Sequence, residues 1–214
     1  MPAQELFLEI GTEEVPSRFL RPALEDLRRL AEKSLQEARI AHGAIRTLGT
    51  PRRLVLAVED VAEAQRPLEQ RVLGPARRVA YDESGRPTKA AQGFARSQGV
   101  SVESLEVVET GKGEYVAALK KEEGRRTEQI LPELLPALIE RLSFPKSMRW
   151  GGGEMRFARP IHWIAALFGG RAVSFEAAGV ASGKTSRGHR FMAPGEFEVE
   201  GLAGYVQEAR ERFV

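Results

Sequence analysis

Residues 156–170 read RFARPIHWIAALFGG, and the segment Ile161–Phe168 within them is apolar at almost every position. A short apolar run closed by Pro160 on one side and Gly169-Gly170 on the other predicts a buried strand. An amphipathic helix would instead repeat its apolar residues every three or four positions. His162 interrupts the run and reads as a hydrogen-bonded core histidine, because a polar group inside an apolar strand is ordinarily satisfied by a neighbour. Trp163 reads as core, flanked in sequence by Ile161, Ile164, Leu167 and Phe168.

Toward the amino terminus, Glu5–Ile10 (ELFLEI) predicts a second strand. Leu6, Leu8 and Ile10 alternate with Glu5, Phe7 and Glu9, and Phe7 indicates that the second face is partly covered as well. Ser17–Ala41 carries Leu20, Leu24, Leu27, Ala31 and Ala38 at helical spacing. Pro16 or Pro22 suits its first turn; a start at Pro16 implies a kink at Pro22, and His42-Gly43 is the expected stop. Ile45–Leu48 and Leu54–Val61 predict strands joined by Gly49-Thr50-Pro51-Arg52-Arg53. Arg71–Tyr81 is expected to be extended, ending in a turn at Asp82–Gly85. Thr88 is expected to cap a short helix that Gly99 stops. Leu105–Val108 and Tyr115–Leu119 flank Thr110-Gly111-Lys112-Gly113 as a hairpin. Thr127–Leu142 is a leucine-rich helix expected to break or kink at Pro132 and Pro136.

Toward the carboxyl terminus, Pro145–Gly153 is expected as a loop, Val173–Val180 as a strand and Gly183–Gly188 as a turn-rich loop. Phe197–Val199 reads as a weak strand and Ala203–Phe213 as a helix. Segregated strands and helices of this kind place the chain in the α+β class, with mixed or antiparallel sheets and packed helices in one or two subdomains. The polar stretch Ala62–Pro67 is the expected boundary between an amino-terminal α+β subdomain, 1–61, and a larger region, 68–214.

The chain has 214 residues, a formal net charge of +2, 42% hydrophobic and 29% charged residues, a composition that can bury a core. Positive charge is concentrated. Between Pro145 and Arg190 stand Lys146, Arg149, Arg156, Arg159, Arg171, Lys184, Arg187 and Arg190 against Glu154 and Glu176, so this block is +6 and the remainder −4. With Trp150, Phe157, Trp163 and Phe191 beside them, these cations predict one continuous exposed face for a polyanion. Each neutralised phosphate releases a counterion, and each ring offers a base a stacking face. No apolar run approaches the roughly 20 residues that cross a bilayer, and the start MPAQELFLEIGTEEVP lacks the pattern of a signal peptide. No membrane partner and a cytoplasmic location are therefore expected. The absence of cysteine excludes disulfides and thiolate chemistry.

Gly183-Lys184-Thr185 looks like the end of a phosphate loop, but the glycine required five positions earlier is Ala178, and Ser186-Arg187-Gly188-His189 does not open a helix. His42, His162 and His189 have no metal-ligand spacing, so no metal site is expected. Glu13 and Glu14 point to opposite faces of an extended chain and read as helix-start charges rather than an acid–base pair. No Gly-x-Ser-x-Gly elbow is present, so no catalytic residue is assigned. The binding candidates are Arg52 and Arg53 in an outward turn, then Lys146, Arg149, Arg159, Lys184, Arg187, His189 and Arg190. His189 is either a turn residue or a ligand contact, because Gly188 permits close backbone approach and two arginines flank it.

Three stretches of the basic block, PKSMRW (145–150), RFARPIHWIAALFGG (156–170) and GKTSRGHRF (183–191), carry a family resemblance. Upstream, FLEIGTEEVP (7–16), GTPRRL (49–54) and GRPTKAAQGFARSQGV (85–100) continue it in the same order. Together they resemble the beta subunit of the bacterial two-subunit glycyl-tRNA synthetase over nearly the entire chain. Members of that family are several hundred residues longer, so an amino-terminal fragment is expected, with the anticodon-binding region and the HD-type domain beyond Val214. The resemblance implies that the alpha subunit holds the class II catalytic core for glycine, ATP and Mg, leaving no cofactor in this chain. It also implies that the beta subunit orients tRNA(Gly) within an assembly of two alpha and two beta chains. On this reading the candidate residues face tRNA or a subunit. Two other readings stay open: a protein-interaction module that docks the alpha subunit without touching RNA, and an enzyme acting on an anionic small molecule with His189 as acid or base.

Overall fold

The computed structural model describes residues 3–150 and 155–214, except for the side chain of Lys121. The last residues of the expected loop Pro145–Gly153 lie outside that range. The class is α+β, as the sequence indicates, with five α-helices and mixed and antiparallel sheets among the described residues. The chain divides into two compact units, one formed by residues 1–65 together with 125–214 and the other by 66–124. The chain does leave the first unit at the polar stretch near Gln65. It returns at Arg125, however, so the expected continuous region 68–214 is split and its larger part shares a core with the amino-terminal residues.

In the first unit, β1 (Ala3–Thr12), β2 (Ile45–Thr50), β3 (Arg53–Ala62) and β7 (Ile161–Phe168) are the long strands, in the order β2-β3-β1-β7 with antiparallel pairing throughout. The short β8 (Arg171–Ala172), β9 (Glu176–Ala177) and β10 (Val180–Gly183) extend this sheet, β10 lying parallel to β7. Strands β1 and β7 are both interior, which explains the nearly continuous apolar run of β7 and the presence of Phe7 among the alternating residues of β1. The pleat sends Leu6, Leu8 and Ile10 to one face, where they join Leu27 and Leu35 of α1 (Ser17–Glu37) and Leu131, Leu135 and Leu138 of α4 (Thr127–Glu140) in the main core. Each such leucine, fully buried, stabilises by about 1.5–3 kcal/mol. The other face carries Phe7, Val55, Ala165 and Leu167, covered by Phe197 and Val199 and by Tyr205 and Ala209 of α5 (Leu202–Glu211). Phe197 belongs to β12 (Glu196–Glu198), which pairs with β11 (Thr185–Arg187) as a separate two-stranded ribbon.

Several local expectations are corrected. Helix α1, which contains Pro22, ends at Glu37, so its stop is not His42-Gly43. Arg39 takes a left-handed φ of 56° while Ile40 N–H donates to Leu35 O at 2.9 Å, the helix-ending motif that usually employs glycine. Helix α4 runs through both Pro132 and Pro136, so of the expected break or kink the break does not occur. Val173–Val180 is not one strand, and Gly183–Gly188 is largely strand, because this segment is distributed over β9, β10 and β11.

The second unit is an antiparallel sheet of β4 (Leu68–Ala76), β6 (Gly113–Glu122) and β5 (Glu106–Thr110), in the order β4-β6-β5. Against it pack α2 (Arg77–Ala80) and α3 (Lys89–Gln98) around Ala80, Ala91, Ala95, Leu105, Val116 and Ala118. The expected extension Arg71–Tyr81 therefore turns helical at Arg77. Thr88 precedes α3 but does not cap it: its hydroxyl donates to Val79 O at 2.7 Å and Ala80 O at 3.2 Å. Gly99, at φ 69°, ends the helix as expected.

Candidate nucleic-acid interface

Strand register gathers the site. Gly11 pairs with Arg53 on one side and Trp163 on the other, while Glu9 pairs with Val55 and Ala165. Residues two apart on a strand share a face, so Glu9, Arg53 and Trp163 all point toward α5 and the β11–β12 ribbon. Gly11 makes this possible. A Cβ there would fall 1.9 Å from Trp163 Cε2, so only a residue without a side chain lets the indole lie across β1.

Glu9 is fully buried and Arg53 is 5% exposed. Arg53 Nη1 donates to Glu9 Oε1 at 3.2 Å, and Tyr205 OH donates to the same oxygen at 2.9 Å. Burial pushes the Glu9 carboxyl above its usual range; the Arg53 charge, followed by Ser186, Trp163 and Tyr205, pulls it partway back. Burial and the Glu9 charge push the Tyr205 phenol up in turn. Among the described residues, Glu9 Oε2, Thr12 Oγ1, Arg53 Nε, Trp163 Nε1 and Ser186 Oγ are buried without a partner of ordinary hydrogen-bond geometry. Ser186 and Trp163 nevertheless lie close enough to Glu9 to stabilise its charge. Arg53 was expected to project outward from a turn. It is instead the internal counter-charge of Glu9, because after the exposed Pro51 and the half-buried Arg52 it is the first residue of β3 and faces the Glu9 side of the sheet.

The polar cluster reaches the surface through Trp163. The guanidinium of Arg53 sits 5.5 Å from the indole centroid and that of Arg187 5.4 Å, both within cation–π range. Arg187 then borders a hollow of about 310 Å³ together with Arg52, Gly188, Arg190 and Glu196. A neighbouring hollow of about 400 Å³ is lined by Glu14, Thr50, Arg52, His189, Arg190 and Phe191, among others. Arg52, Gly188 and Arg190 thus border both.

The loop Gly188–Gly195 is held by its own hydrogen bonds. Gly188 N–H donates to Gly195 O at 2.8 Å, and His189 N–H donates to Arg212 O at 2.9 Å. His189 Nδ1 accepts the backbone N–H groups of Phe191 at 3.3 Å and Met192 at 3.2 Å. Its resolved role is to fix the turn, with Nε2 left for other partners. A Cβ at Gly188 would meet Ala193 O at 2.3 Å, which explains the glycine.

The structure therefore brings together Arg52, Arg187, His189 and Arg190. Arg159 lies at the flank, donating to Glu14 O at 3.2 Å. Lys146 and Arg149 border neither hollow, and Lys184 is engaged on the ribbon with Glu198 at 2.8 Å, a contact that raises its pKa. The continuous cationic face expected for 145–190 is not present in that form. Arg171 pairs with Glu128, Arg187 with Glu196 at 3.4 Å and Arg190 with Glu14 at 3.2 Å. Among the described residues Arg52, Lys146, Arg149 and Arg159 form no ion pair. His162 is also corrected. It is exposed, with Nε2 3.0 Å from Glu13 Oε1. The register slips between Gly11 and Thr12, which face Trp163 and Ile161, so His162 is the extra residue of a β-bulge and is turned outward.

Glu9, Gly11 and Tyr205 were not singled out from the sequence. The available signal was Phe7: a covered Phe7 face implies that Glu9, two residues on, is covered too. Among the described residues, no group of three or more His, Asp or Glu side chains is placed to hold a metal ion, and no helix is long and apolar enough to cross a membrane.

A family profile described as "Glycyl-tRNA synthetase beta subunit" matches residues 6–214. Proteins named "Glycine--tRNA ligase beta subunit" are similar along almost the whole chain. The one from Geobacter sp. (strain M21) is 56% identical over 212 residues, 99% of this chain and 31% of the relative. That from Syntrophus aciditrophicus (strain SB) is 53% identical over 212 residues, again 99% and 31%. That from Syntrophotalea carbinolica is 54% identical over 210 residues, 98% and 30%. The chain spans about 31% of the length of the curated relatives it matches. With the profile covering β1 through α5, the chain belongs to the glycyl-tRNA synthetase beta subunit family.

Proposed function

We propose that this chain is a non-catalytic, tRNA-positioning portion of a glycine–tRNA ligase, holding tRNA(Gly) for ATP-dependent glycylation at an alpha subunit. One observation carries the reading: Arg52, without a carboxylate partner among the described residues, borders two adjoining hollows, sharing both with Arg190 and one with Arg187. The carboxylates on the latter two are no obstacle. Both pairs are solvent-exposed, and exposed ion pairs contribute only about 0–1 kcal/mol, so an incoming phosphate can displace them. Arginine suits that exchange because its planar fork takes phosphate oxygens in pairs.

The mechanism is positional. Fixing one substrate relative to another's reaction centre removes rotational and translational freedom before chemistry begins, and this lowers a barrier by several kcal/mol without any reacting side chain. Glycine, ATP and Mg belong to the alpha subunit in this reading, and two alpha and two beta chains complete the enzyme. A second reading, docking of the alpha subunit on this surface, is favoured by the exposed Met192 and Phe213 beside the same loop.

Steady-state kinetics on the complete enzyme separates the two. Arg52→Ala/Arg187→Ala/Arg190→Ala in the beta chain should raise KM for tRNA at least about tenfold, since hydrogen bonds to charged groups contribute about 1.5–3 kcal/mol each. Glycine activation measured without tRNA should not change. An unchanged KM for tRNA, or loss of alpha-subunit association, favours the docking reading instead.

A further inference from the structure

Phe191 is the most exposed large hydrophobic residue of the described chain, at 75%. Its exposure does not come from a slack segment. Its own N–H donates to His189 Nδ1 at 3.3 Å, and the next N–H donates to the same nitrogen at 3.2 Å. The loop is closed at its base by Gly188 N–H to Gly195 O and anchored to Arg212 O through His189 N–H. The Arg190 guanidinium lies 4.7 Å from the ring centroid and the His189 ring 6.3 Å away. A phenyl ring is thus held in solvent at the edge of a hollow of about 400 Å³, within the roughly 300–1,000 Å³ of small-ligand sites. Its polar lining sets Arg52, Arg53, Arg190 and His189 against a single carboxylate side chain, Glu14, which is held in an exposed pair with Arg190.

We infer that Phe191 is a stacking platform for an unpaired nucleotide of the bound RNA, whose phosphates are taken by Arg52 and Arg190. This rests on the tRNA-positioning reading and narrows it. Bases inside an A-form duplex are stacked on both faces, and their major-groove edges lie too deep for side chains to reach. Only an unpaired base offers a free π face to an exposed ring, and a ring flanked by guanidinium groups suits an electron-rich base carrying phosphate. An apolar protein partner would leave Arg190 and Arg52 facing uncharged surface; an unpaired nucleotide matches both ring and charge.

The test uses the full chain with two probes, an eight-nucleotide single-stranded RNA and the blunt duplex it forms with its complement. Phe191 is solvent-exposed, so its replacement leaves the fold intact, which circular dichroism confirms for each variant. Phe191→Leu should weaken single-strand binding about 5- to 150-fold, the span of one base–aromatic stack, and leave duplex binding unchanged. Phe191→Trp should restore or exceed the original affinity. Equal losses on both probes, or none on either, overturn the inference; so does loss of alpha-subunit association with RNA affinity intact. Arg52→Ala run alongside separates the two levels. If it weakens both probes while Phe191→Leu weakens neither, stacking alone is wrong; if it too has no effect, this face does not meet RNA at all.

Discussion

Arg53→Met isolates the buried pair at the heart of the first unit. The substitution keeps roughly the length of the side chain and removes its charge, leaving Glu9, fully buried, with the Tyr205 OH bond at 2.9 Å and the nearby Ser186 and Trp163 but no counter-charge. Removing one member of a buried ion pair costs about 3–5 kcal/mol, because the other charge stays desolvated without compensation. In a chain of this length each kcal/mol lowers Tm by about 2–4 °C, so Tm should fall by about 6–20 °C at neutral pH. Glu9→Leu/Arg53→Met should be less damaging than Arg53→Met alone, since an apolar pair carries no stranded charge. A coupling of about 1–3 kcal/mol is expected. Urea unfolding of the four chains, followed by tryptophan fluorescence and far-UV circular dichroism, measures the cycle. A loss under about 1 kcal/mol for Arg53→Met, or losses that simply add, would refute the claim that Glu9 and Arg53 function as one desolvated unit.

Two further perturbations act on the same cluster. Because burial raises the folded pKa of Glu9 above its unfolded value, the unfolded carboxyl ionises first as pH rises past the usual carboxylate range. The wild-type chain should therefore lose stability relative to Glu9→Gln between that range and the folded pKa, with a constant difference on either side. Urea midpoints at stepped pH check this, and a relative gain with rising pH would mean that Arg53 outweighs burial. Gly11→Ala places a methyl 1.9 Å from Trp163 Cε2, and overpacking of this kind costs about 1–3 kcal/mol or more. It should shift the Trp163 emission and weaken tRNA binding through Arg187, which rests on the indole; unchanged emission with unchanged binding would uncouple the two.

The parts of the fold legible in the sequence are those decided locally. Ile161–Phe168 and Leu54–Val61 announce themselves because both faces of each strand are covered, and α1 because its leucines recur at helical spacing. What stayed hidden depends on pairing between distant residues. The segment 173–188 carries no clean period, and its β10 meets β7 through only a short parallel register, Ser182 to Ile164 and Gly183 to Ala165. The division at Gly124 is silent in the sequence, because α4 rejoins the first unit through Leu131 and Leu135 packing in the core that α1 shares. The same holds in the site. That Arg187 and Arg190 stand beside Arg52 follows from ribbon and turn meeting over Gly11, which charge counting does not reveal. Arg53 and His162 were misplaced for one reason: inward or outward direction is set by register and by a single bulge, and a shift of one residue reverses it.

In the proposed function Arg52, Arg187 and Arg190 meet phosphate. The most direct measurement is the dependence of tRNA affinity on salt concentration for the wild-type chain and for the variants lacking one, two and three of these arginines. The slope of log K against log salt should become shallower by about 0.7–0.9 for each phosphate contact removed. Slopes that stay equal across the series would contradict the account, whatever happens to affinity at a single salt concentration.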